Sequence, residues 1–242
     1  EDGAYGLSSG LIYVPGSYGD TSEVIELAKV AAAYGGSYNT HIRGENDTLL
    51  EAMAEAIEVG RRASIPVEIA HFKAMGRHMW GRSIESLKMV DDARKEGIEV
   101  TCDQYPYNAS ATGLGAYMPA WMHIGGVDEL LKRLKDPAAR ARAKHDILNG
   151  APGWVSLHKG VGWENTMVTS CAKHEWEGLT VTEIAHHRGT DDFEAAFDIL
   201  LECNGQVGVV YFTIGDEDIE RIMRHPAVMI GSDSSAVAAT GP

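Results

Sequence analysis

The chain has 242 residues, 44% of them hydrophobic and 23% charged, enough to bury a sizeable core. Lys and Arg number 21 against 35 Asp and Glu, a formal charge of -14 at pH 7 with no long basic tract. That surface repels phosphate backbones and anionic headgroups, so neither nucleic acid nor a membrane is an expected partner. No run of about 18 apolar residues occurs, so no membrane span is expected. Three scattered cysteines, Cys102, Cys171 and Cys203, suit neither a disulfide framework nor a CxxC zinc ribbon, and a cytoplasmic location is expected.

Short apolar runs alternate with helix-period segments. Leu11 to Val14 reads as the end of a strand, and Thr21 to Tyr34 as a helix capped by Thr21 or Ser22. Ser37 to Ile42 is a strand. A helix follows from Asn46 or Asp47, with Leu49, Leu50, Met53, Ala56 and Ile57 at spacings of three and four. Pro66 introduces a strand ending at His71. A helix from Ser83 carries Ile84, Leu87, Val90 and Ala93 on one face and closes at Gly97. Ile98 to Cys102 is the next strand. Residues 109–165 break the rhythm with a helix over 127–148 and a Gly/Pro/Trp-rich stretch, 150–162, and read as an inserted subdomain or lid. The pattern resumes with a strand over 166–170, a helix from Asp191 or Asp192 to Glu202, a strand over 207–212, a helix over 216–223 and a strand over 228–231. Alternation at this spacing implies parallel strands with crossover helices, in a barrel or a doubly wound sheet.

Polar residues collect where these strands end: His41, His71, Asp103 with Tyr105, and Asp233. In parallel α/β folds the C-terminal strand ends face the ligand. Two imidazoles and a carboxylate are suitable donors for zinc, which activates water for hydrolysis. Each residue alone has a plainer reading: a strand-end His is often a hydrogen-bonded surface residue, and Asp233 could cap a following helix.

Four ordered motifs, Thr40-His-Ile-Arg-Gly-Glu45, Ile69-Ala-His-Phe-Lys73, Asp103-Gln-Tyr-Pro-Tyr107 and Gly231-Ser-Asp233, resemble the D-aminoacylase family, the N-acyl-D-amino-acid deacylases of the amidohydrolase superfamily. The opening Gly6 to Tyr13 and the stretch Arg221 to Asp233 resemble it too. The resemblance implies a zinc-dependent hydrolase on a distorted (β/α)8 TIM-type barrel, acting on a small N-acyl amino acid with one or two zinc ions. By that likeness His41 and His71 are metal ligands and Asp233 is the general base and then acid. Lys73 and Tyr105 contact substrate, while Arg43 and Glu45 orient His41 from behind.

The sequence also departs from that pattern. The family's His-x-His pair is missing, and no cysteine precedes the two histidines. The expectation is therefore an internal piece: a partial barrel of about strands four to eight, with barrel units over 1–108, the insertion over 109–165 and remaining barrel units over 166–242. Open barrel edges imply self-association, and the missing thiolate implies weakened zinc binding. Two rival readings stand beside this one: a non-catalytic α/β interaction module with an incomplete metal site, and a cyclic amidase of the dihydroorotase or hydantoinase kind. Gly76 to Ser83 mimics a phosphate loop, with Arg82 in place of the lysine, and reads as a strand-to-helix loop over the active face. No G-x-S-x-G elbow supports a serine nucleophile.

Overall fold

The computed structural model describes residues 3–151, 154 and 156–234. Both chain ends, Glu1 and 240–242, lie outside the described residues, as do Pro152, Gly153 and Val155 of the 150–162 stretch. Strand β1 (Gly6–Gly10), helix α1 (Thr21–Ala32), β2 (Ser37–His41), α2 (Leu49–Ala63), β3 (Val67–Ile69), α3 (Ser83–Lys95) and β4 (Val100–Gln104) alternate as expected. Then come β5 (Ala109–Gly113), α4 (Val127–Leu134), α5 (Pro137–Asn149), α6 (His158–Val161), β6 (Thr166–Cys171), α7 (Val181–Arg188), α8 (Asp192–Glu202) and β7 (Val207–Phe212). Helix α9 (Asp216–Met223) and β8 (Val228–Ile230) complete the described chain.

Two sheets result. The first is parallel, in the order β1-β2-β3-β4-β8. Side chains alternate across it, because successive residues of a strand face opposite ways. Tyr38, Val67, Ile69, Val100 and Cys102 point to a core shared with Ile25, Met53, Ile57 and Val90 from the helices. The α2 helix packs so close to β3 that a Cβ on Gly60 would lie 2.6 Å from Val67 Cγ2, so only glycine fits there. The sheet's other face is polar. Asn39 pairs in register with Glu68, and Glu68 with Thr101, whose hydroxyl donates to the Glu68 carboxylate.

The second sheet crosses the boundary expected at residue 165. β6 and β7 do not return to the parallel sheet; they pair antiparallel with each other and with β5, in the order β5-β7-β6. The antiparallel sheet therefore draws strands from both sides of that boundary. Its core is separate, built on Tyr117, Trp163, Val168, Phe197 and Leu200. The period-2 apolar pattern of a buried strand is the same for parallel and antiparallel pairing, so direction is decided by the neighbour.

Smaller differences have local causes. The α1 cap is Asp20, whose carboxylate accepts from Glu23 N, one position before the expected Thr21. The helix expected over 127–148 is two, α4 and α5, because Pro137 lacks the N–H that a continuing helix requires and instead opens α5 behind the Asp136 cap. β1 ends at Gly10, before the expected Leu11 to Val14 strand end. The Gly76 to Ser83 loop holds an internal anion: the buried Asp218 carboxylate accepts from Gly81 N at 2.7 Å and from Ser83 Oγ, and pairs with Arg221 at 2.8 Å. A carboxylate of α9 thus fills the place a phosphate would need. Among the described residues, no helix is long and apolar enough to cross a membrane.

Candidate metal centre

β2 and β3 are parallel neighbours, so their C-terminal ends lie side by side. β2 ends on His41, and His71 follows two residues after β3. The His41 and His71 rings meet edge to face, with centroids 4.3 Å apart. His71 adopts φ 38°, in the left-handed region, where its N–H donates to Asp103 Oδ1 at 2.7 Å. A left-handed non-glycine residue costs on the order of 1–3 kcal/mol, and such strain concentrates at functional sites.

The loop after β2 brings Glu45 between these rings. The loops after β2 and β3 are tied together by Met75 N donating to Glu45 O at 2.7 Å. Glu45 Oε1 lies 3.1 Å from His71 Nδ1 and 3.9 Å from His41 Nε2. The donor atoms of His41, Glu45 and His71 lie within 4.8 Å of one another, close enough to share one ion. Glu45 therefore stands beside both rings, within reach of each.

Protonation states suit a cation. Burial pushes the His41 imidazole down to about 4, against the pull of Glu45, so it is neutral with a lone pair available. Burial alone would raise Glu45, but Lys73 and the two histidines outweigh it and hold the carboxyl well below its usual range. His41 Nε2 is buried and has no hydrogen-bond partner among the described residues. An orphaned imidazole nitrogen beside a carboxylate is a position that an ion satisfies.

Lys73 enters the same cluster, with its ammonium 2.5 Å from Glu45 Oε1 and 5.4 Å from the Tyr105 ring centroid. The Tyr105 hydroxyl shares a 2.7 Å hydrogen bond with Ser110 Oγ, and burial raises its pKa. Asp233 follows β8 with φ 50° and is exposed. It stands outside the His41–Glu45–His71 group, yet its charge bears on the Tyr13 phenol, which packs on His41 with ring centroids 4.9 Å apart.

Tyr13 is a residue that sequence reasoning missed. With β1 placed at Leu11 to Val14, Tyr13 looked like part of a strand. With β1 ending at Gly10, it falls just past a strand end like the other site residues. Its hydroxyl bonds Thr112 Oγ1 at 3.1 Å, linking the parallel sheet to the inserted one.

Arg43 is not placed as expected. Its guanidinium turns away from His41, binds Glu55 through two nitrogens at 2.9 Å, and donates to Ser17 O and Gly19 O. It ties the loop after β1 to α2, at the edge of a cavity of about 490 Å³ whose lining includes Thr48, Glu55 and Trp154 but none of the clustered site residues. Replacing Arg43 by Met is expected to cost about 1–3 kcal/mol, since two carbonyls and one carboxylate lose a charged donor. Urea unfolding measures this, and a cost below about 0.5 kcal/mol would show that water replaces those bonds.

No family model matches the chain. Among curated relatives, the N-acyl-D-glutamate deacylase of Alcaligenes xylosoxydans xylosoxydans is 30% identical over 233 residues, covering 96% of this chain and 38% of the relative. The D-aminoacylase of the same organism is 29% identical over 232 residues, with the same coverage. Among solved structures, the Bordetella bronchiseptica N-acyl-D-glutamate deacylase, complexed with zinc and a phosphonate inhibitor, superposes with a TM-score of 0.72 at 29% identity, covering 96% of this chain and 39% of that one. The chain thus spans about two fifths of the length of the relatives it matches. Over nearly all of its own length, it is similar to D-aminoacylase and N-acyl-D-glutamate deacylase, the former described as defining a subset of amidohydrolases.

Proposed function

We propose that this chain carries the metal-binding and water-activating part of a zinc-dependent amidohydrolase that cleaves the amide bond of N-acyl-D-amino acids. In this reading the five parallel strands are an arc of a (β/α)8 barrel, about strands four to eight, with the antiparallel unit inserted between its last two strands. The observation that carries the proposal is the convergence of His41, Glu45 and His71 on one point at adjacent strand ends, with His41 Nε2 buried and unpartnered. The Bordetella bronchiseptica N-acyl-D-glutamate deacylase is complexed with zinc, and a D-aminoacylase has a binuclear metal centre, which supports the same chemistry here.

The donor set fits zinc: two imidazole nitrogens and one carboxylate oxygen. When bound, zinc supplies the Lewis acidity that activates water and polarises the amide carbonyl. The chain's own residues do the rest. Asp233, exposed at the end of β8, takes the proton of the attacking water and returns it to the departing amine. Lys73 and Tyr105, with the ammonium 5.4 Å from the ring centroid, would contact the substrate. His41, half-buried and neutral, keeps its buried Nε2 lone pair available.

The test is direct. The chelator-treated chain should take up zinc, and His41→Ala and His71→Ala should each weaken uptake by about a hundredfold or more. Hydrolysis of N-acetyl-D-glutamate and other N-acetyl-D-amino acids, compared with their L isomers, reads the activity. Zinc affinity unaffected by either substitution would remove the basis of the reading.

A further inference from the structure

Lys73 is 4% exposed, a residue type almost never buried without a partner. Its ammonium has three protons, and the structure uses all three. They go to Glu45 Oε1 at 2.5 Å, His71 O at 2.8 Å and His71 Nδ1 at 2.9 Å. A lysine ammonium only donates, and Glu45 Oε1 lies 3.1 Å from the same His71 Nδ1. Whether Nδ1 accepts from Lys73 or donates to Glu45, it has no free lone pair to offer an ion while Lys73 stays in place.

The same ammonium also sits on Glu45 Oε1, the oxygen nearest both histidines. An ion ligated there at about 2.1 Å would lie within about 5 Å of a second positive charge in a buried setting. Glu45 and Lys73 already neutralise each other. The cluster is therefore closed on itself, apart from the orphaned His41 Nε2.

We propose that Lys73 is a displaceable internal cation: its ammonium holds the Glu45 and His71 donors until a divalent ion takes them, and metal binding requires its removal from the cluster. This rests on the zinc reading above and adds a competitor within the chain. Lys73 lies only two residues beyond His71, and Tyr105 gives the released ammonium a neighbouring aromatic face.

The experiment uses the full chain, stripped with chelator and titrated with Zn²⁺ in competition with a chromophoric chelator. Lys73→Met should bind Zn²⁺ at least about tenfold tighter than the native chain, while Lys73→Arg, which keeps the charge, should bind no tighter. Zinc bound by Lys73→Met and not by the native chain supports the proposal equally. Native binding with no gain in Lys73→Met overturns the proposal and leaves the metal site standing. Binding by none of the three overturns both.

A second measurement needs no substitution. Acetic anhydride labelling of the native chain, read by peptide mass spectrometry, should modify Lys73 several-fold more with zinc bound than without. Equal protection in both states overturns the proposal.

Discussion

Replacing Glu45 by alanine is expected to destabilise the metal-free chain by about 3–5 kcal/mol at pH 7, the usual cost of leaving one partner of a buried ion pair alone. Lys73 would keep its charge, with two of its three protons still bonded to His71 and the third left bare. The double variant Glu45→Gln with Lys73→Met replaces the pair by neutral side chains of similar volume and should recover most of the loss. Urea unfolding with chelator present measures all three chains, and the cycle isolates the pair. A single-variant cost under about 1 kcal/mol would mean that water reaches the ammonium and screens it.

The pH dependence follows with a definite sign. The Glu45 carboxyl sits below its ordinary value of 4.5 in the folded chain, so its contribution is complete above that pH and is lost only as pH falls well below it. His41 behaves alike at higher pH. Its folded value near 4 lies below the ordinary 6.5, so the stability it confers as a neutral group is complete above 6.5 and drains away as pH falls toward 4. The native chain should therefore weaken first between pH 6.5 and 4, by on the order of 3 kcal/mol.

The second large effect belongs to the inserted unit. Trp163 is 2% exposed and stacks on Tyr117 with centroids 5.0 Å apart, while Phe193 meets its edge at 5.5 Å. Trp163→Ala should cost about 3–5 kcal/mol through lost burial and the cavity left behind. Trp163→Phe should cost much less. The indole Nε1 is buried with no hydrogen-bond partner among the described residues, so removing that donor offsets part of the lost area. Near-ultraviolet circular dichroism and urea unfolding distinguish the two variants; equal costs would show that the indole N–H is satisfied in solution.

Local signals located many elements well. Asp191 before an apolar helix, and the alternation of Val207 to Phe212, gave bounds that α8 and β7 keep within a residue. Asp216 to Met223 is the α9 helix as read. The strand-end rule put His41 and His71 together because adjacent parallel strands end side by side, whatever the loops do. It could not place Arg43, whose long side chain had partners on both sides and settled on Glu55 of α2.

The amino-acid sequence by itself determined where many of the helices and strands form and which donors stand at strand ends, since those depend on residues a few positions apart. Only the tertiary structure decided that β6 and β7 run antiparallel, and that Glu45 faces two histidines with Lys73 lodged among them. Those outcomes depend on distant neighbours: Glu45 and Lys73 are 28 positions apart, and they meet because two loops share a backbone hydrogen bond. Short-range propensity carries no term for such a meeting; burial and charge neutralisation in the assembled fold do.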